Sequence, residues 1–239
     1  MPAPDTAPTT VATDRHARLS LAGLLTLTVS TGVIDAVSYL ALDHVFTGNM
    51  TGNFLFVGFA LVGTGAIPLV NNLAAILGFG LGAVVGTRVV GHGARHFTHR
   101  SSVLLLTAGA LLAALVVVWA VVGELEGAAL VVFTAILAMV MGVQVAAVKP
   151  IGNTDVTTIV VTNTYVNVVR DSPLSGGTGS RWFPRTAAIV AMCLGATIGA
   201  LLVHHVNGWT ALAAGLVVFL AGAALLWLTH PPREAVVAH

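Results

Sequence analysis

The chain has 239 residues, of which 56% are hydrophobic and only 8% charged, and its mean hydropathy is +0.95. Soluble domains carry about 25% charged residues, so a water-soluble globule of this length is excluded: too little polar surface exists to cover it. The formal net charge of +1 supplies no basic field for nucleic acid. The single cysteine, Cys193, excludes an internal disulfide and a CxxC metal site, and reads as a small core residue.

The apolar runs are continuous and do not alternate in period two, which excludes a transmembrane barrel. The fold class expected is an all-α polytopic membrane helix bundle. Residues 1–14 are rich in Pro, Thr and Ala and read as disordered, part of a short tail over 1–18. Arg15 and Arg18 then precede an apolar run over 19–42. This run is too long for the apolar part of a cleaved leader, and it contains Asp35. Further spans of about 20 residues, the length that crosses hydrocarbon, are predicted at 72–91, 102–123, 127–148, 185–206 and 209–229. A polar tail follows over 230–239.

Two segments fit less well. Residues 51–67 are short for a span. Residues 154–169 carry Thr or Asn at seven positions, too polar to face lipid along their length. If both re-enter on the side they came from, all ten Lys and Arg residues fall on one side. Asp43, Glu124 and Glu126 fall on the other. The positive-inside rule then predicts six crossings, two re-entrant half-helices and both termini in the cytoplasm. Eight full crossings would split the basic residues between the two sides.

The chain also resembles itself. Gly32-Val33 aligns with Gly142-Val143, Met50-Thr51-Gly52-Asn53 with Val161-Thr162-Asn163-Thr164, and Gly78/Gly82 with Gly195/Gly199. The order is kept, so two membrane repeats are expected, over 19–123 and 127–229. With three crossings each they are inverted, a pattern found in many secondary transporters. Gly78, Gly80, Gly82, Gly86, Gly195 and Gly199 read as surfaces for close helix contact. Trp119, Trp182, Trp209 and Trp227 read as interfacial anchors.

Asp35 is the one charged residue deep inside a predicted span. A carboxylate there costs at least about 2.5–3.5 kcal/mol on insertion scales, so it must face the bundle interior, take up a proton or meet a partner. The densest polar cluster is 46–53, FTGNMTGN. Thr47, Asn49, Thr51 and Asn53 supply polar groups at the start of a broken helix, whose N-terminus presents free N–H groups. The second cluster holds Asp155, Thr158, Thr162 and Asn163, and Gln144 falls close to where the repeat places Asp35. These ten residues form the candidate substrate site. The alternative is that they cap and pack helices. No metalloprotease, hydrolase or P-loop motif is present, so neither an enzyme nor a cofactor is expected.

Residues 32–40 (GVIDAVSYL) and 45–53 (VFTGNMTGN) are similar to the signature of the YoaK-like family, multi-pass bacterial inner-membrane proteins built on a domain of unknown function. Gly142-Val143-Gln144 and the Thr157-Thr158…Thr162 segment are similar as well. Val145 departs from the family pattern, which often has Asn after the Gln. The resemblance implies a multi-pass bacterial membrane protein and no particular substrate. Two functions follow from the residues. One is a transporter or channel for a small polar or anionic solute, coupled to H⁺ or Na⁺ through Asp35. The other is a non-transporting scaffold or sensor. A homodimer is open in either case.

Overall fold

A computed structural model describes residues 10–63, 67–94, 96–151, 161–179 and 181–229, with side chains from residue 15 onward. The described residues form α-helices and short 3₁₀ turns, with no strand. Six helices are long and apolar enough to cross a membrane: α1 (Thr10–Ala41), α3 (Leu69–Val90), α4 (His99–Val122), α5 (Gly127–Val148), α7 (Trp182–His205) and α8 (Gly208–Trp227). Two are short: α2 (Met50–Leu61) and α6 (Val161–Arg170). The protein is thus a multi-pass, all-helical membrane protein.

Local chemistry sets the ends. Thr98 caps α4 by accepting from the Ser101 N–H, and Asn207 caps α8 by accepting from Thr210. Gly91 and Gly123 end α3 and α4 with φ of 93° and 80°, values that only glycine adopts freely. One end differs from expectation. α1 begins at Thr10, inside the stretch read as disordered. No Pro or Gly interrupts residues 9–22, so nothing there breaks the helix.

Packing fixes the helix directions. Gly78 lies beside Ala135, Gly82 beside Met139 and Gly86 beside Ala146, so α3 and α5 run parallel. Gly195 lies beside Val29 and Gly199 beside Val33, so α1 and α7 run parallel too. α8 runs antiparallel to α1, with Gly222 at Leu27 and Gly215 at Ile34. It is also antiparallel to α4, with Gly109 at Leu220 and Gly208 at Trp119. α1, α4 and α7 therefore point one way, and α3, α5 and α8 the other.

α3 starts where α1 ends: the Asn71 Nδ2 group donates to the Leu42 carbonyl at 3.3 Å. α2 therefore leaves and returns to the same end. Its 12 residues span about 18 Å, short of the roughly 30 Å of hydrocarbon. α5 ends at the level where α7 begins, so the chain carrying α6 also returns to the end it left. Every Lys and Arg among the described residues then lies at one end: Arg15, Arg18, Arg88, Arg100, Lys149, Arg170, Arg181 and Arg185. Asp43, Glu124 and Glu126 lie at the other.

The segments 19–123 and 127–229 are interleaved. α1 packs mainly on α7 and α8, and α3 mainly on α5. The tightest seams are backbone against backbone. A Cβ at Gly78 or Gly82 would overlap the carbonyl of Ala135 or Met139, and one at Gly195 would overlap that of Val29. Gly80 departs from its predicted role, since a Cβ there would meet nothing. Its position, two residues from both Gly78 and Gly82, puts it on another face of the helix. Trp119 departs as well. It is buried inside the bundle against Phe133 and Gly208 and does not face outward. Cys193 is exposed and not in the core.

Two outcomes follow. In a Cys193→Ser background, an impermeant maleimide labels Val62→Cys and Asp43→Cys from the same side of the membrane. Labelling from opposite sides would make α2 a full crossing. Gly82→Val lowers the melting temperature of the purified protein by the equivalent of about 1–3 kcal/mol or more, whereas Gly80→Val leaves it near wild type.

Candidate functional site

The site begins on one face of α1, where Thr31, Asp35 and Tyr39 recur every four residues and so line up along one side. Asp35 is 5% exposed. It lies six residues before the end of α1 at Ala41, about 9 Å from that end, and so sits off the middle of the span. Beyond Ala41 the chain doubles back through Asp43 and His44, both left-handed with φ of 67° and 58°. Asp and His are among the non-glycine residues that tolerate this region best.

The returning strand of backbone is not helical, so its polar groups need partners inside the bundle. Two side chains supply them. Asn53, fully buried, accepts from the Phe46 N–H at 3.0 Å and donates to the Phe46 carbonyl at 2.6 Å. Asp35 Oδ1 accepts from the Gly48 N–H at 2.6 Å and the Thr47 N–H at 3.1 Å, and the Thr47 hydroxyl lies at 3.4 Å. Gly48 fits closely here, because a Cβ would stand 3.0 Å from Asp35 Oδ2, so that the carboxylate would have to give way. Gly52 fits closely in the same way, with a Cβ 2.8 Å from the Phe46 ring. Asn49 caps α2 by accepting from the Gly52 N–H. Phe46 stacks on Tyr39, ring centroids 4.8 Å apart and 19° from parallel.

Beside this turn lies a cavity of about 1050 Å³. Asp35, Asn49, Thr51, Thr162 and Asn163 line it, so five of the ten predicted site residues converge there. Thr47 and Asn53 do not line it. They build the turn that holds Asp35. Gln144 is buried one layer away, where its Nε2 group donates to the Thr31 hydroxyl at 3.1 Å. Asp155 and Thr158 lie outside the described residues. Among the described residues, Asp35 Oδ2 and Gln144 Oε1 are buried acceptors without a hydrogen-bond donor.

Tyr39, Phe46, Phe79, Met50 and Met192 also line the cavity and were not foreseen from the sequence. Tyr39 was within reach of the reading, being one helical turn from Asp35. Met192 and Phe79 were not, because nothing local says that α7 and α3 face this space. At the other end of the second polar segment, Arg185 is buried and donates to Asp171 and to the Asn167 carbonyl. That hydrogen bond from Arg185 holds the Asp171 carboxyl below its ordinary value. The pair fastens the end of α6 to the start of α7.

A profile of the family described as "Protein of unknown function (DUF1275)" matches residues 23–225, from within α1 to within α8. The chain belongs to the DUF1275 family. It is 32% identical over 197 residues to the UPF0700 transmembrane protein YoaK of Bacillus subtilis (strain 168), covering 77% of this chain and 83% of that one. No solved structure matches. The resemblance carried by residues 32–40 and 45–53 is therefore shown, and in this DUF1275 protein both stretches lie at the Asp35 turn.

Removing the Asn53 clamp strands two buried backbone groups. Asn53→Leu is expected to cost about 2–4 kcal/mol, two hydrogen bonds of about 1 kcal/mol plus the desolvation of the groups left behind. Asp35→Asn keeps an acceptor at Oδ1 and is expected to cost less than Asp35→Ala. Thermal unfolding of the three purified variants checks the order.

Proposed function

We propose that the protein is a small-solute secondary transporter or channel of the bacterial inner membrane, with its site in the cavity beside α2 and Asp35 as the coupling acid for H⁺ or Na⁺. The observation that carries this reading is a buried carboxylate whose second oxygen has no donor among the described residues, placed on the wall of a cavity. Intramembrane acids on cavities mark ion and proton paths. Broken helices near the bilayer middle are where transporters bind substrate. Thr51 and Asn49 from α2 and Thr162 and Asn163 from α6 supply polar contacts from the two interrupted segments.

The packing supports an inverted repeat beneath the site. If α1, α2, α3 and α4 correspond to α5, α6, α7 and α8, the seam of α1 on α7 corresponds to that of α5 on α3. Likewise α1 on α8 corresponds to α5 on α4, and α2 on α3 to α6 on α7. The glycines correspond too. Gly32 meets the Met192 carbonyl as Gly142 meets that of Phe79, and Gly195 meets that of Val29 as Gly78 meets that of Ala135. α1 and α5 point in opposite directions. By the positive-inside rule, the basic end is the cytoplasmic one, which puts the start of α1 and the end of α8 there.

One observation favours the other reading, a non-transporting scaffold or sensor. Asp35 Oδ1 is fully engaged in holding the Thr47-Gly48 turn, so the acid also serves the fold. The two readings part on access. Thr51→Cys and Asn163→Cys, each in a Cys193→Ser background, are labelled with impermeant maleimide from either side of oriented vesicles. A transporter gives reactivity that shifts between sides with an imposed pH gradient, and Asp35→Asn removes the shift. Reactivity from one side alone, indifferent to pH, would support the scaffold.

A further inference from the structure

We infer that the cavity beside Asp35 takes an amphiphilic organic monocation, an ammonium group on an apolar body. The inference rests on reading this cavity as a solute site, though not on transport. Charge comes first. The N–H groups of Thr47 and Gly48 already bond Asp35 Oδ1. No Lys, Arg or His is among the described residues that line the cavity. Among the buried side-chain atoms of the described residues on the wall, the one without a partner is an acceptor, Asp35 Oδ2, on a side chain 5% exposed. An anion placed there would meet an uncompensated carboxylate. An ammonium would supply the donor that this oxygen lacks, as a charge-assisted hydrogen bond.

The rest of the wall says what is attached to the charge. It is mostly carbon: Tyr39 and Phe46 stacked face to face, Phe79, and two methionines, Met50 and Met192. Aromatic faces attract cations, and Met side chains adapt to varied apolar shapes. A largely hydrocarbon wall suits the apolar body of an organic ion. The volume, about 1050 Å³, lies at the top of the range of about 300–1,000 Å³ for small-molecule pockets, so an organic ion fits with room for its apolar part.

The test uses three matched ligands on the full-length protein in detergent: 2-phenylethylammonium, 3-phenylpropanoate and 2-phenylethanol. Calorimetric titration measures each affinity. A charge-assisted hydrogen bond is worth about 1.5–3 kcal/mol, so the cation is expected to bind about 10–100-fold tighter than the alcohol, with the acid weakest. Asp35→Asn, which retains the Oδ1 acceptor for the turn, is expected to abolish the preference for the cation. Tyr39→Leu is expected to weaken the cation more than the alcohol, and it keeps the question open to measurement if the Asp35 variant does not fold. Binding of the acid or the alcohol as tightly as the cation would overturn the charge assignment while leaving the cavity a solute site. Cation binding undiminished in Asp35→Asn would place the ion elsewhere and overturn it too. No binding by any of the three would overturn it together with the reading of the cavity beneath it.

Discussion

Backbone that leaves the helix inside a bilayer must find every hydrogen-bond partner within the protein, and this structure is organised around one such place. The turn from Asp43 to Asn49 plunges back into the bundle with no helix to satisfy it. Asp35 and Asn53 answer its exposed amides and carbonyl from either side. Gly48 and Gly52 let the turn approach closely beside Asp35, which lines the cavity. A carboxylate in this position serves the fold through one oxygen and keeps the other without a donor among the described residues.

Around that turn the bundle combines a core of large apolar side chains with seams of close backbone approach. With lipid outside, hydrophobicity alone gives helices little reason to choose one another, and small residues let backbones come together instead. The carbonyls of Val29, Met192, Phe79, Ala135 and Met139 each lie where a glycine on the facing helix leaves space. The two most buried spans are α1 and α5, each gripped by such seams. Arg185 adds a polar fastening at the rim, where it joins α7 to the segment before it.

Much of this was written in the sequence, and the reasons are specific. Continuous apolar stretches located the six spans to within a few residues, apart from the early start of α1, because lipid imposes one length and one hydropathy. The lone acid and the FTGNMTGN stretch pointed to the site because each is costly in a membrane without a purpose. The division of labour within that stretch was not legible. Thr47 and Asn53 look as suitable for a ligand as Asn49 and Thr51 do, and only the turn geometry tells them apart. The far wall was hidden for a different reason: Phe79 and Met192 are ordinary apolar residues in ordinary spans, and their role comes from contacts with helices distant in the chain. Trp119 and Cys193 misled in opposite directions, because residue type gives an average preference for depth and says nothing about which way a helix is turned.

The interleaved packing has a consequence for biogenesis. During synthesis α1 emerges well before its principal neighbours, α7 and α8. Until they arrive, a helix bearing a carboxylate lacks the neighbours against which its Gly32 and Val29 pack. The packing of α7 and α8 onto α1 therefore waits on their synthesis, and a chain halted before α7 would leave Asp35 without the Met192 side of its cavity.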